Sequence, residues 1–332
     1  MKKPYQMDSF GESTVKGYRW INPGVTPWSV LVIAHGMAET IDRYDHFARW
    51  MATQGVVVYG HSHRGHGQTA GSPEALGDLG ENGWIKTRED LRRALEMAAR
   101  EEPECPLFLL GHSMGSFLSR DLLHDLMDRR EGRSPRGLRL HGGKDPELAG
   151  VILSGTGWLS RIVLLLGKWA ASVEMRMKGP LHPSRMMHQL SFGRYNQRIE
   201  KPLTFYDWLS CDAEQVKAYV QDPFCGQVHS SRFYREFFHH VFRIQYRCDS
   251  ARAGSGYPKK GLKPPLLLIA GEQDPVGDYG RAMEQVASFY RQCGFDSTHR
   301  LYPEGRHEML NEINREDVYQ QIIRWMKRIA EQ

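Results

Sequence analysis

The sequence predicts an α/β fold with a mostly parallel sheet, helices on both faces and an inserted helical cap. Short, almost wholly apolar runs alternate with amphipathic segments, which is typical of parallel strands covered by helices on both sides. The alternation stops over residues 156–262, where no buried strand is indicated, so we expect a cap subdomain there. The 332 residues, 40% hydrophobic and 25% charged, suffice for one large core and this insertion.

The first part of the predicted core covers residues 1–155. Its strands are predicted at 14–21, 29–35, 56–59, 107–110 and 151–154. Helices are predicted at 43–54, at 87–101 and from 116 onward. Thr87 is the expected N-cap of the second helix, because Glu89 and Asp90 follow it and suit the helix dipole.

The cap is predicted to begin with an apolar helix from Trp158 to Ala171. A polar middle and an aromatic stretch follow, and a Pro- and Gly-containing linker, 258–265, leads back to the sheet. The second part of the core, 263–332, then adds strands at 266–270 and 299–303 and helices at 279–293 and 316–330.

The pentapeptide Gly111-His112-Ser113-Met114-Gly115 lies between an apolar strand and a helix. A strand that turns at once into a helix strains its central residue, and glycines on either side let the two elements approach. Such a turn holds a serine hydroxyl beside a helix N-terminus, where negative charge is stabilised. Ser113 is therefore a candidate nucleophile.

A serine nucleophile needs a base and an acid that orients the base. Asp274 follows the strand at 266–270, and His307 lies in the loop after the last predicted strand. The order Ser113, Asp274, His307 is the one found in α/β-hydrolases, and all three residues lie at one edge of the predicted sheet. Glu272 and Asp278 are rival acids, although Asp274 has the better position at the strand's end.

Three histidines in one loop, His61, His63 and His66, resemble a metal site but lack a nearby acid or cysteine to complete a ligand set. We therefore expect no metal and no cofactor. Residues 129–144 carry five Arg and one Lys against one Glu, which accounts for a charge equal to the net +5 of the chain. This stretch has no aromatic residues for base stacking, so we expect a solvated loop and no nucleic-acid partner.

Five cysteines without a C-x-x-C motif, and no apolar segment after Lys2 and Lys3, favour reduced thiols in a cytoplasmic protein. No apolar run approaches the ~20 residues of a membrane span.

At these residues the chain resembles the monoacylglycerol lipase/lysophospholipase branch of the α/β-hydrolases, also called serine aminopeptidase-like hydrolases. The resemblance is closest to bacterial members. The stretches that carry it are the serine pentapeptide, His35-Gly36-Met37-Ala38-Glu39, 212–225, Asp274-Pro275-Val276-Gly277-Asp278 and 302–312. Ser62 stands where the family usually has Asp, and the basic stretch 129–147 is longer than usual; we expect the first to have a structural effect only.

The resemblance implies Ser113 as nucleophile, His307 as base and Asp274 as the orienting acid, with backbone N–H groups of Met37 and Met114 as the oxyanion hole. It also implies a carboxylic ester of lipid type as substrate and leaves open a transient contact with a membrane surface. The apolar helix of the cap suggests Leu165 and Leu166 as acyl-chain contacts. Peptidase and thioesterase activities with the same triad remain alternatives, as does a non-catalytic binding protein on this scaffold. Dehalogenases and epoxide hydrolases of this fold are disfavoured because they need a carboxylate where Ser113 stands.

Overall fold

The computed structural model describes residues 1–9, 14–130, 145–246 and 263–332. Its strands form one sheet and are β1 (Lys2–Asp8), β2 (Thr14–Trp20), β3 (Ser29–Ala34), β4 (Val56–His61), β5 (Leu107–His112), β6 (Gly150–Ser154), β7 (Leu266–Gly271) and β8 (Ser297–Tyr302). The order across the sheet is β1-β2-β4-β3-β5-β6-β7-β8. Strands β3 to β8 are parallel, while β2 runs antiparallel to both β1 and β4. The predicted fold class is confirmed.

Ten α-helices are described. They are α1 (Asp45–Thr53), α2 (Gly67–Ala70), α3 (Gly83–Glu101), α4 (Met114–Arg130), α5 (Arg161–Lys178), α6 (Arg185–Phe192), α7 (Ala213–Gln221), α8 (Ser231–Tyr246), α9 (Arg281–Gln292) and α10 (Arg315–Ala330).

The core lies on both faces of the sheet. Alternate residues of β3 belong to different apolar clusters: Val30 and Val32 pack with α3, α4 and α9, while Leu31 and Ile33 pack with α1 and α10. A strand covered on both faces needs apolar side chains at every position, which is why these runs were so apolar in the sequence. The carboxyl ends of the parallel strands therefore form one edge over which a site can assemble.

The insertion between β6 and β7 contains helices α5 to α8. Helix α8 packs against α5 and also against α3 and α4 of the core, so it joins the cap to the sheet layer. A Cβ at Gly167 of α5 would lie 2.9 Å from the Phe238 ring of α8, so this glycine allows the two helices to pack closely. Residues 258–262 of the predicted linker and 131–144 of the basic stretch lie outside the described residues, as does Cys248.

One strand was not predicted, and the predicted start of one helix was wrong. The strand β1 was not predicted, because Lys2, Lys3 and Pro4 are atypical of strands. It is an edge strand paired only with β2, and edge strands tolerate proline and charge. The helix expected from Thr87 begins at Gly83, and the Thr87 hydroxyl donates to the Gly83 carbonyl at 2.8 Å instead of capping.

The start of α3 is stabilised by a distant residue. Glu236 of α8 accepts the Trp84 N–H at 2.9 Å, so a tertiary contact replaces the local cap. No short-range pattern in the sequence predicts such a contact.

Candidate active site

Ser113 lies in the turn between β5 and α4, with a φ of +49° in the left-handed region. A Cβ at Gly115 would lie 2.0 Å from the Ala34 carbonyl oxygen of β3, and one at Gly111 would lie 2.4 Å from Ser119 Oγ. The two glycines thus permit a turn tight enough to hold the serine at the edge of the sheet.

Asp274 and His307 form a buried pair after β7 and β8. The His307 Nδ1–H donates to Asp274 Oδ1 at 3.0 Å, and the Val276 N–H donates to the same oxygen at 2.9 Å. Asp274 is fully buried and His307 is 1% exposed. Because Nδ1 carries the proton of this bond, Nε2 of His307 is left as a base.

The rival acids lie elsewhere. Glu272 and Asp278 are exposed, and Asp278 forms a surface pair with Arg281 at 3.8 Å. Of these three carboxylates, Asp274 is the one that is buried and hydrogen-bonded to His307.

The surroundings of His307 set its protonation. Burial alone would lower the pKa of His307, but the charge of Asp274 and the hydrogen bond to it outweigh burial and raise that pKa. The Trp208 ring packs beside the imidazole, with centroids 5.1 Å apart. A Cβ at Gly155 would lie 2.8 Å from His307 Cε1, so only a residue without a side chain fits there.

The two methionines proposed for the oxyanion hole flank the serine. Met37 lies in the turn after β3, hereafter the oxyanion turn (residues 35–39), and Met114 is the first residue of α4. Both line the same cavity as Ser113 and His307. A Cβ at Gly36 would lie 3.1 Å from that of Ser113, which shows how closely the turn approaches the serine.

A buried polar cluster that the sequence analysis missed lies next to the serine. Glu39 Oε1 accepts hydrogen bonds from the Gly36 N–H and, at 2.9 Å, from the Tyr44 hydroxyl. The Arg43 guanidinium lies between Glu39 and Glu308, 3.6 Å from Glu39 Oε2 and hydrogen-bonded to Glu308. Burial and the nearby Glu308 raise the pKa of Glu39 to about 7. Two signals could have revealed this cluster: the i, i+4 spacing of Glu39 and Arg43, and the adjacency of Glu308 to His307.

A cavity of about 640 Å³ connects this polar cluster with the cap. Its polar end contains Glu39 and Glu308. Its other end is largely apolar and is lined by Phe117, Leu159, Val163, Leu166, Trp169, Ala170, Met187, Leu190, Phe192, Phe237 and Phe238. Cavities of this size and polarity typically bind small ligands.

The structure separates the two leucines predicted as acyl contacts. Leu166 lines the cavity, whereas Leu165 is not among the lining residues. Both side chains are exposed, Leu166 by 59% and Leu165 by 47%, so the two leucines differ in their place relative to the cavity and not in exposure.

The histidine-rich loop is buried. His63 N–H donates to His35 Nε2 at 2.8 Å, and His66 Nε2 lies 3.1 Å from His229 Nε2. Within the described ranges, no three His, Cys, Asp or Glu side chains are grouped to hold a metal ion. Over the same residues, no helix combines the length and the apolar character that crossing a membrane requires.

The family model "Serine aminopeptidase, S33" matches residues 26–314, which include every residue of this site. The chain belongs to this family. The match to the S33 family model extends over most of its length.

Three relatives illustrate this. The monoglyceride lipase of Rattus norvegicus is 35% identical over 305 residues, covering 89% of this chain and 84% of that protein. The monoacylglycerol lipase of Mycolicibacterium smegmatis is 27% identical over 316 residues, covering 92% and 90%. A carboxyl esterase of Bacillus coagulans, solved with glycerol, has a TM-score of 0.83 and 26% identity, covering 99% of each chain. The predicted branch of the superfamily and the enzyme class, a carboxylic ester hydrolase, are confirmed.

Proposed function

We propose that this S33-family protein hydrolyses lipid esters, with monoacylglycerols preferred to lysophospholipids, through Ser113, His307 and Asp274. One observation carries the proposal: a single cavity with an apolar end and a polar end is lined by both Ser113 and His307, and His307 is hydrogen-bonded to buried Asp274. The acyl chain of a monoacylglycerol suits the apolar end, and its glycerol suits the polar end.

The proposed mechanism uses only groups of the chain. His307 Nε2 takes the proton of Ser113 Oγ, which attacks the ester carbonyl. The N–H groups of Met37 and Met114 hold the oxyanion; each such donor typically lowers the barrier by about 3–4 kcal/mol. His307 then gives its proton to the leaving alcohol, and a water activated by His307 releases the fatty acid.

The charges at the polar end support an uncharged alcohol. Glu39 and Glu308 share one guanidinium, that of Arg43, and all three side chains are at most 6% exposed. A phosphate at this end would meet carboxylates with little water to screen them, which is unfavourable. Hydroxyl groups, in contrast, can donate hydrogen bonds to carboxylates.

The same proposal includes contact with a membrane surface that contains anionic lipid. Helices α5 and α6 expose apolar side chains, and some of them, such as Trp169 and Leu190, also line the cavity. Residues 161–201 hold eight Lys or Arg and two Asp or Glu, a net +6. An apolar surface within a basic region favours a negatively charged bilayer, from which a substrate could enter the cavity directly.

A hydrolysis screen tests the proposed function. Purified wild-type protein and Ser113→Ala are assayed on monoacylglycerols, lysophospholipids, acyl thioesters and aminoacyl amides, and a fluorophosphonate adduct is mapped by mass spectrometry. We expect labelling at Ser113 and activity highest on monoacylglycerols. A preference for amides or thioesters would favour the peptidase or thioesterase alternatives. No activity and no labelling in a folded sample would leave a non-catalytic binding protein.

A cytoplasmic location stays part of the proposal. Its support is that Cys105, Cys211 and Cys225 are free thiols. Fractionation of cells that produce the protein, with periplasmic and membrane markers, tests it.

A further inference from the structure

The cap is hydrogen-bonded directly to the oxyanion turn. The Ala38 carbonyl of that turn accepts the Tyr219 hydroxyl at 2.8 Å and the Gly226 N–H at 2.8 Å. Tyr219 belongs to α7 of the cap, and Gly226 lies in the loop that follows it. Both donors thus come from the insertion and act on a residue next to Met37, whose N–H is proposed to hold the oxyanion.

The turn needs support from outside because its backbone is strained. Ala38 has a φ of +59°, in the left-handed region that residues other than glycine rarely adopt. On the core side, Glu39 fixes the turn by accepting the Gly36 N–H. On the cap side, the Tyr219 hydroxyl and the Gly226 N–H fix the turn by donating to the Ala38 carbonyl.

The Tyr219 hydroxyl makes two hydrogen bonds in this arrangement. It donates its proton to Ala38 and accepts the Gly226 N–H at 3.2 Å. The phenol is buried, and burial raises its pKa well above the ordinary value, so it keeps the proton that it donates. Its ring lies 5.0 Å from the Arg43 guanidinium, a contact that a phenylalanine would retain.

We propose that Tyr219 is a positioning residue through which the cap fixes the oxyanion turn, so that the oxyanion hole is competent only while the cap is seated. This inference rests on the proposed function, since it concerns the same reaction. It adds a dependence of the chemistry on the cap that the triad alone does not require. A cap that moved outward would carry the two donors away from Ala38 and free the strained turn.

The test is Tyr219→Phe, with Tyr234→Phe as the matched control. Tyr234 is also a buried cap tyrosine, but its hydroxyl has no hydrogen-bond partner among the described residues and it does not line the cavity. Both variants are assayed on p-nitrophenyl acetate and on a monoacylglycerol. Binding of a trifluoromethyl ketone, whose adduct carries an oxyanion, is measured as well.

For Tyr219→Phe we expect kcat to fall about tenfold or more on both substrates. This is less than the ~10²–10³-fold cost of deleting an oxyanion donor outright. KM should change little, and ketone affinity should fall in parallel with kcat/KM. Tyr234→Phe should match the wild type in all three.

Three results would overturn the inference. A loss confined to the monoacylglycerol would assign the hydroxyl to the leaving alcohol. A loss of ketone affinity and activity equal in both variants would indicate general damage to the cap. If the wild-type protein is active and Tyr219→Phe behaves like it, the inference about Tyr219 is overturned and the proposed function is not affected. If the wild-type protein itself is inactive on every ester, the proposed function is refuted as well.

Discussion

At the scale of single residues, Asp274 fixes the tautomer of His307, the proposed catalytic base. Its Oδ1 accepts from His307 and from the Val276 backbone, while its Oδ2 has no hydrogen-bond partner in the described part of the chain. An amide in this place could present its NH₂ group to the imidazole, and the proton would then move to Nε2.

We therefore predict that Asp274→Asn lowers kcat by about 10⁴-fold while the fold is kept. The pH profile gives a second readout. In the wild type, kcat/KM should rise with pH through the raised pKa of His307; without the carboxylate charge, that midpoint should move to lower pH. The matched control is Glu272→Gln, on an exposed neighbour. Near-normal rates in Asp274→Asn, or an inactive control, would contradict the assignment.

The sequence could predict residues whose signal is local. Ser113 has its glycines, and Asp274 and His307 each follow an apolar strand, so each can be found within a short window. Arg43 and Tyr219 act through contacts with distant segments, Arg43 with Glu308 and Tyr219 with Ala38. The Tyr219 hydroxyl reaches Ala38 across 181 positions of the chain, and no periodicity or motif encodes that contact.

At the scale of elements, α5 combines a structural face with a cavity face. Leu164 and Ala171 are buried against the rest of the cap, and Leu166 and Ala170 line the cavity. Its sequence showed only that the helix is more apolar than one buried face requires. Which of its neighbouring leucines faces the cavity depends on helix phase, and that is set by packing against α8.

We predict that Leu166→Asp weakens hydrolysis of long-chain esters much more than that of acetate esters. Each CH₂ buried in the cavity contributes about 0.8 kcal/mol, so the effect should grow with chain length. Leu165→Asp is the matched control, because it puts the same charge one residue away and outside the cavity. Rates on monomeric p-nitrophenyl esters from C2 to C12 provide the measurement. Identical chain-length profiles for the two variants would refute the acyl-site role of Leu166.

At the scale of the whole molecule, several buried histidines make stability depend on pH. Burial lowers the pKa of His61 and of His66 to about 4, and that of His240 to about 3, from 6.5. The unfolded chain therefore binds more protons than the folded one between pH 6.5 and about 4, so stability is full above 6.5 and falls as pH falls through this window. His307 and Glu39 act in the opposite direction, because their pKa values are raised, by neighbouring charge against burial in His307 and by burial together with neighbouring charge in Glu39.

We predict that the free energy of unfolding decreases from pH 7.5 to pH 5, by up to about 1.4 kcal/mol per pH unit for each such histidine. Urea unfolding at several pH values measures this slope. In His61→Leu the slope should be shallower by up to about 1.4 kcal/mol per pH unit, which is the contribution of one proton. Little stability should be lost at pH 7.5, because neither ring nitrogen of His61 has a hydrogen-bond partner among the described residues. An unchanged slope would mean that His61 is not neutral in the folded state.

The exposed apolar surface of the cap gives a second prediction at this scale. The protein should co-sediment with phosphatidylglycerol vesicles more than with phosphatidylcholine vesicles, and added salt should weaken this binding. Ile162→Asp with Met177→Asp should reduce binding, since both side chains are exposed on α5 outside the cavity. Ile313→Asp, a similarly exposed position outside the cap, is the control. Equal loss in the control would argue against docking through α5.

The place where the insertion joins the sheet has a consequence for how such enzymes diversify. β6 and β7 are parallel, hydrogen-bonded neighbours, with Val151 opposite Leu266 and Ser154 opposite Ile269. The insertion therefore leaves at the carboxyl end of β6 and returns at the amino end of β7, only about one strand length away. Segments of very different length can close such a gap, because the entropy of loop closure grows only logarithmically with length. Caps of different length and sequence can thus be inserted at this place, and replacing the cap could change the substrate without disturbing strand pairing. If Tyr219 acts as proposed, one constraint limits such replacement: each new cap must supply its own hydrogen-bond donor to the Ala38 carbonyl.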